Sequence, residues 1–158
     1  MRLATVFAAV ALLSLPLPAT ATPINSAGLT RGELATYLKS KGYPVNATKD
    51  GNGLSILRSK TSDGIDFDIY FFDCGKTDER CGSLQFAAGW AARQRVTLDQ
   101  LNAWNRGHRY MRAYLTDNGD LYGEFDMVIA PGGTTEQLDD DRRLFDTMLA
   151  KFKTHFGL

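Results

Sequence analysis

The chain has little of what most catalytic or metal-binding proteins display. It has only two cysteines and two histidines in 158 residues, and no cysteine precedes Cys74. A lipid-anchored lipoprotein, which needs a cysteine directly after its signal, is therefore excluded. His108 and His155 have no second histidine or cysteine at ligand spacing in the sequence, so no zinc-type motif starts from either. No apolar run reaches the roughly 20 residues that span a bilayer. Charge of either sign is not in surplus, with 18 basic and 18 acidic side chains. That balance gives no reason to expect nucleic acid or an anionic membrane as partner. There is no strand-to-helix Gly-x-Ser-x-Gly elbow for a hydrolase triad, no internal repeat and no linker.

What is present begins with an export signal. Arg2 supplies the positive start, Leu3 to Leu15 is nearly all apolar, and Pro16 and Pro18 break the run. Ala19-Thr20-Ala21 supplies the small residues of a cleavage site. Residues 1–21 are therefore expected to be a cleavable signal peptide. Residues 22–28 are expected to be a loose mature N-terminus, and 29–158 a single domain. The expected location is periplasmic or secreted, with no membrane insertion after cleavage. In that oxidising setting Cys74 and Cys81 are expected to form a structural disulfide. A loop this short contributes about 2.5 kcal/mol by the chain-entropy model.

Spacing then orders the elements. Thr30 with Glu33 forms a capping box ahead of Leu34, Tyr37 and Leu38, which predicts a first helix ending by Gly42 and Pro44. Strands are expected over 45–49, 54–60, 65–73 and 83–90. Thr97 with Gln100 opens a short second helix, and strands at 109–116 and 121–129 form a hairpin. Thr134 with Gln137 starts a long third helix whose stripe is Leu138, Phe145, Met148, Leu149, Phe152 and Phe156. The fold class is α+β, an antiparallel meander sheet with flanking helices in the order α-β-β-β-β-α-β-β-α.

Register follows from the turns, because a one-residue slip exchanges the faces of a strand. Three-residue loops ending in a left-handed glycine set Lys60 against Asp66, Arg58 against Asp68, Leu115 against Leu121 and Tyr114 against Tyr122. A Cys74–Cys81 pair sets Phe71 against Leu84 and Ile69 against Phe86. The third helix is expected to cover the face carrying Phe67, Ile69, Phe71 and Phe86. The other face should then carry Leu54, Ile56, Tyr70 and Phe72, with Tyr114 and Tyr122 as a similar pair. These six residues are the candidate protein-binding surface. An apolar cluster of that kind needs a cover: the first helix, a second copy of the chain, or another polypeptide.

The remaining polar motifs read as structure. Asp66 and Asp68 are cross-strand ion-pair members. Asp139, Asp140 and Asp141 follow one another on a helix and cannot converge on a metal. Asp117-Asn118-Gly119-Asp120 lacks the alternating ligands and closing glutamate of a calcium loop. Gly132-Gly133 enters a helix without a basic companion, and Asn46-Ala47-Thr48 is a bare glycosylation sequon. No catalytic, cofactor or metal residue is assigned, and no cofactor is expected.

The stretch from Asp73-Cys74 through Cys81-Gly-Ser-Leu-Gln-Phe-Ala-Ala-Gly-Trp90 resembles the YbjN-domain family of bacterial sensory transduction regulators. Leu101-Asn-Ala-Trp-Asn105 and Asn118-Gly119-Asp120-Leu121 add to the likeness, which runs from about Gly28 to Phe156. The resemblance implies a fold like the type III secretion chaperones, often homodimeric and without enzymatic activity. The expected function is an exported, non-enzymatic, protein-binding or regulatory module, chaperone-like in manner. The alternative is a small envelope enzyme or ligand-binding protein with its cleft between helix and sheet.

Overall fold

The computed structural model describes residues 21–76, 79–91 and 96–158. The expected signal peptide therefore lies almost wholly outside the described residues. The element order is α1 (Arg31–Ser40), β1 (Val45–Lys49), β2 (Ser55–Lys60), β3 (Asp66–Cys74), β4 (Cys81–Trp90), α2 (Leu98–Gly107), β5 (Met111–Leu115), β6 (Leu121–Val128) and α3 (Thr135–Phe156). The predicted α+β order is the one observed.

Each helix begins where its cap requires. Thr30 accepts from the Glu33 N–H while the Glu33 carboxylate takes the Thr30 N–H, and Thr97 with Gln100 repeats the arrangement. Thr134 accepts from the Gln137 N–H at the start of α3, and Gly157 ends that helix in the left-handed conformation.

The six strands form one antiparallel sheet in the order β1-β2-β3-β4-β6-β5. The meander runs through β1 to β4. The final hairpin then joins by its second strand, because α2 carries the chain past one strand position to the far edge. Within the hairpins the expected registers hold: Lys60 faces Asp66, Arg58 faces Asp68, Phe71 faces Leu84, and Tyr114 faces Tyr122. Cys74 and Cys81 are opposite one another and disulfide-bonded.

All three helices lie on one face of the sheet. The α3 stripe is buried, and Phe145 sits with its ring centroid 5.0 Å from Phe67 and 5.2 Å from Phe86. Leu34 and Leu38 of α1, and Leu101 and Trp104 of α2, join that same core. The first helix therefore does not cover the opposite face, and of the three expected covers it drops out. The layer between helices and sheet, where a ligand cleft was the alternative expectation, is packed with the rings of Phe67, Phe86, Phe145 and Phe152. No described helix is long and apolar enough to cross a membrane.

The expectation for the N-terminal segment needs correction. Residues 22–28 are not loose. The Ile24 N–H donates to the Gly133 carbonyl, the Thr135 N–H to the Thr22 carbonyl, and the Ile24 side chain is buried. Burying that one large apolar residue offsets the ordering of its neighbours. It also places the chain's own backbone at the Gly132-Gly133 helix entry. The stripe also holds a residue that the expected one did not include: Arg142 stands inside it, 2% exposed, with its guanidinium carbon 4.3 Å from the Tyr43 ring centroid.

Candidate interaction surface

Alternation along the strands assigns Ile56, Arg58 and Lys60 of β2, and Asp66, Asp68, Tyr70 and Phe72 of β3, to the helix-free face. The register adds Ser83, Gln85, Ala87 and Gly89 of β4, Tyr122, Glu124, Asp126 and Val128 of β6, and Arg112 and Tyr114 of β5. These residues line up in cross-strand rows.

Two of the rows are polar and internally satisfied. Arg58 holds Asp68 through two hydrogen bonds of 2.6 and 2.8 Å, and Lys60 pairs with Asp66 at 2.7 Å. Glu124, 8% exposed, accepts from Arg112 Nε at 2.6 Å and from the Tyr114 hydroxyl at 2.7 Å. Burial, reinforced by that carboxylate, pushes the Tyr114 hydroxyl well above the usual phenol range. In the next row the Gln85 amide donates to Asp126 at 2.8 Å. Carboxylates that already hold their partners are poorly placed to exchange protons with a substrate.

The end row differs. Phe72 pairs with Ser83, which pairs with Val128. The β2–β3 register, continued past the strand end, sets Leu54 against Phe72. Leu54 is 47% exposed, Phe72 45% and Val128 68%. Strands lie about 4.8 Å apart, so Phe72 and Val128 stand roughly 10 Å apart with only the small Ser83 between them. A groove of about 350 Å³ opens there, lined in part by Phe72, Ser83, Gln85, Asp126 and Val128. Its width suits one apolar side chain.

The six residues expected from the sequence do not form one cluster. Leu54 and Phe72 belong to the exposed end row. Tyr70 stands one row inward and half-buried, and Ile56 is only 1% exposed. Period-two patterning assigns a face, not a depth, and Ile56 is enclosed by its neighbours there, with Thr48 directly opposite. Tyr114 and Tyr122 stack at 5.7 Å three rows away, roughly 20 Å along the strands. The Tyr122 ring lies across Gly89, where an added Cβ would come within 2.6 Å of it. Val128 was missed. It reaches the row only through the β4–β6 pairing, which no local turn encodes.

The other motifs are placed as structural. Asp139 binds the Tyr37 hydroxyl and, at 2.7 Å, the Lys41 ammonium, while Asp140 pairs with Arg143, so the acidic run diverges. The Asp117–Asp120 segment closes as a turn through Gly119 N–H to the Thr116 carbonyl at 2.8 Å. Contrary to their separation in sequence, His108 and His155 approach to 6.2 Å between ring centroids, because the ends of α2 and α3 converge on Trp104. Each ring bonds a backbone carbonyl, His108 that of Trp104 and His155 that of Gln100. Among the described residues no group of three or more histidine, cysteine, aspartate or glutamate side chains could hold a metal.

No curated protein matches the chain in sequence. A family model does match, over residues 30–158, and its description is "Putative bacterial sensory transduction regulator". The match takes in every element from α1 to α3, so the helix-backed sheet with its open face is the domain of that family, and the chain belongs to the YbjN family.

Proposed function

We propose that this regulatory domain is a non-enzymatic, exported module that captures another polypeptide on the open face of its sheet. One observation carries the reading: Leu54, Phe72 and Val128 form an exposed apolar row on a face that no described helix covers, while the nearest carboxylates, Asp73 and Asp126, already accept from the Ser83 hydroxyl and the Gln85 amide. A row of that kind recognises an apolar anchor side chain of a partner, seated between Phe72 and Val128 over Ser83. The paired charges around it exclude partners that present bare charge. Export follows from the Arg2 to Ala21 pattern.

Capture by the immobilised mature chain, compared with a Phe72→Ser/Val128→Asp variant, tests the reading. Both sites are exposed, so the variant should keep its unfolding midpoint and lose the retained partner. Equal retention by the two chains would refute the surface. Intact mass of the protein recovered from cells tests export, with cleavage after Ala21 expected.

A further inference from the structure

The two edges of the sheet are treated differently. At the β5 edge the Asn105 side chain acts as a substitute strand. Its amide donates to the Ala113 carbonyl at 3.1 Å and its oxygen accepts the Ala113 N–H at 2.9 Å. Trp104 Nε1 donates to the Met111 carbonyl at 2.8 Å. These are outward-facing groups of β5, because the bond from Thr116 N–H to the Asp120 carbonyl fixes the alternate residues as the ones that pair with β6. Helix α2 thus closes that edge to further strands.

The β1 edge has no such cap. The Asp50 N–H donates to the Leu54 carbonyl, so Asn46 and Thr48 bond to β2, while Val45, Ala47 and Lys49 turn their N–H and C=O groups outward. None of these groups has a partner among the described residues. The strand carries no proline and no bulge, and its one charge, Lys49, stands exposed at its last position on the face that Val45 shares.

We infer that β1 is the contact through which two copies of this chain join, antiparallel about a two-fold axis at Ala47. That pairing sets Val45 against Lys49, Asn46 against Thr48 and Ala47 against itself. Every outward backbone group of both strands is then matched. No like charges stand opposite one another, since the two Lys49 side chains each meet a valine. The smallest side chain of the strand sits at the axis, where the two copies come closest. An isologous contact is also the only strand pairing that closes, because the opposite edge of each copy is held by Asn105 and Trp104. The product is a continuous twelve-stranded sheet with both outer edges capped. This inference does not depend on the apolar end row.

Light scattering of the mature chain across a dilution series tests it, together with Ala47→Pro. Proline removes an N–H that the monomer does not use and is tolerated on an edge strand. Twice the monomer mass is expected for the wild type and the monomer mass for Ala47→Pro, with the same far-ultraviolet circular dichroism. Should that variant misfold, Ala47→Cys decides independently. Hydrogen-bonded antiparallel pairs have Cα atoms about 5.5 Å apart, within disulfide range, so oxidation should give a covalent dimer. A monomeric wild type, or Ala47→Cys that stays uncrosslinked, overturns the inference. So does a dimer that survives Ala47→Pro but dissolves with Phe72→Ser/Val128→Asp.

Discussion

Replacing Arg142 by methionine should leave the protein as stable as before or make it more stable by about 1–2 kcal/mol, whereas Arg142→Ala should cost about 2–4 kcal/mol. The guanidinium is enclosed. Its carbon lies 4.3 Å from the Tyr43 ring centroid, 5.1 Å from Phe67 and 5.6 Å from Phe145. Nη1 touches Asp146 as an ion pair without the alignment of a hydrogen bond, and Nε and Nη2 have no hydrogen-bond partner among the described residues. Removing a guanidinium from water costs several kcal/mol. Ring contacts return about 0.5–2 kcal/mol each at best. The ion pair returns little more, since the Asp146 side chain is 33% exposed. Methionine keeps the bulk and the contacts with the rings and removes the desolvation cost. The aspartate left behind can turn to water. Alanine removes the bulk as well and opens a cavity. Urea unfolding followed by the fluorescence of Trp90 and Trp104 measures both variants. A loss above about 2 kcal/mol for Arg142→Met would show that the charge itself holds α3 to the sheet, and this account of the core would fail.

Phe145→Ala should cost about 3–5 kcal/mol, because its ring is fully buried against Phe67 and Phe86; a loss below about 1 kcal/mol would mean that α3 does not pack as described. Hydrogen bonding from Arg80 holds the Glu33 carboxyl down to about 2 from 4.5. A depressed acid stabilises the fold above its unfolded value, so this contribution is complete above about pH 4.5 and fades as pH falls toward 2. With the side chain 43% exposed, about 1 kcal/mol remains after solvent screening, and the stability difference between wild type and Glu33→Gln should shrink by that amount across the window. Replacing Cys74 and Cys81 by serine should lower stability by about 1–3 kcal/mol while leaving capture intact, as paired urea titrations and binding assays would show.

What could be read in the sequence was whatever a local rule encodes. Turn length fixed the Lys60–Asp66 and Tyr114–Tyr122 registers, and the cysteine pair fixed β3 against β4. The α3 stripe was legible from its spacing, but Arg142 was no part of it, since a charged residue counts as buried only once its ring neighbours are known. Contacts between distant segments were not legible. The β4–β6 pairing crosses a helix and a strand, so Val128 stayed hidden and the exposed row could not be assembled. Ile24 pairing with Gly133, and His108 meeting His155, belong to the same class. Ile56 failed for a different reason, because alternation gives the face of a side chain without saying how high its neighbours stand.

The open face is the centre of the account, and a photo-crosslinking residue at position 128 tests it most directly. Position 143, on the exposed side of α3, serves as control, its side chain being 70% exposed. Irradiation in envelope extract should give a discrete polypeptide adduct from position 128 and none from position 143, and Phe72→Ser should suppress the adduct. Adducts from position 143 alone, or from both positions regardless of Phe72, would place the binding surface on the helical side and contradict the account.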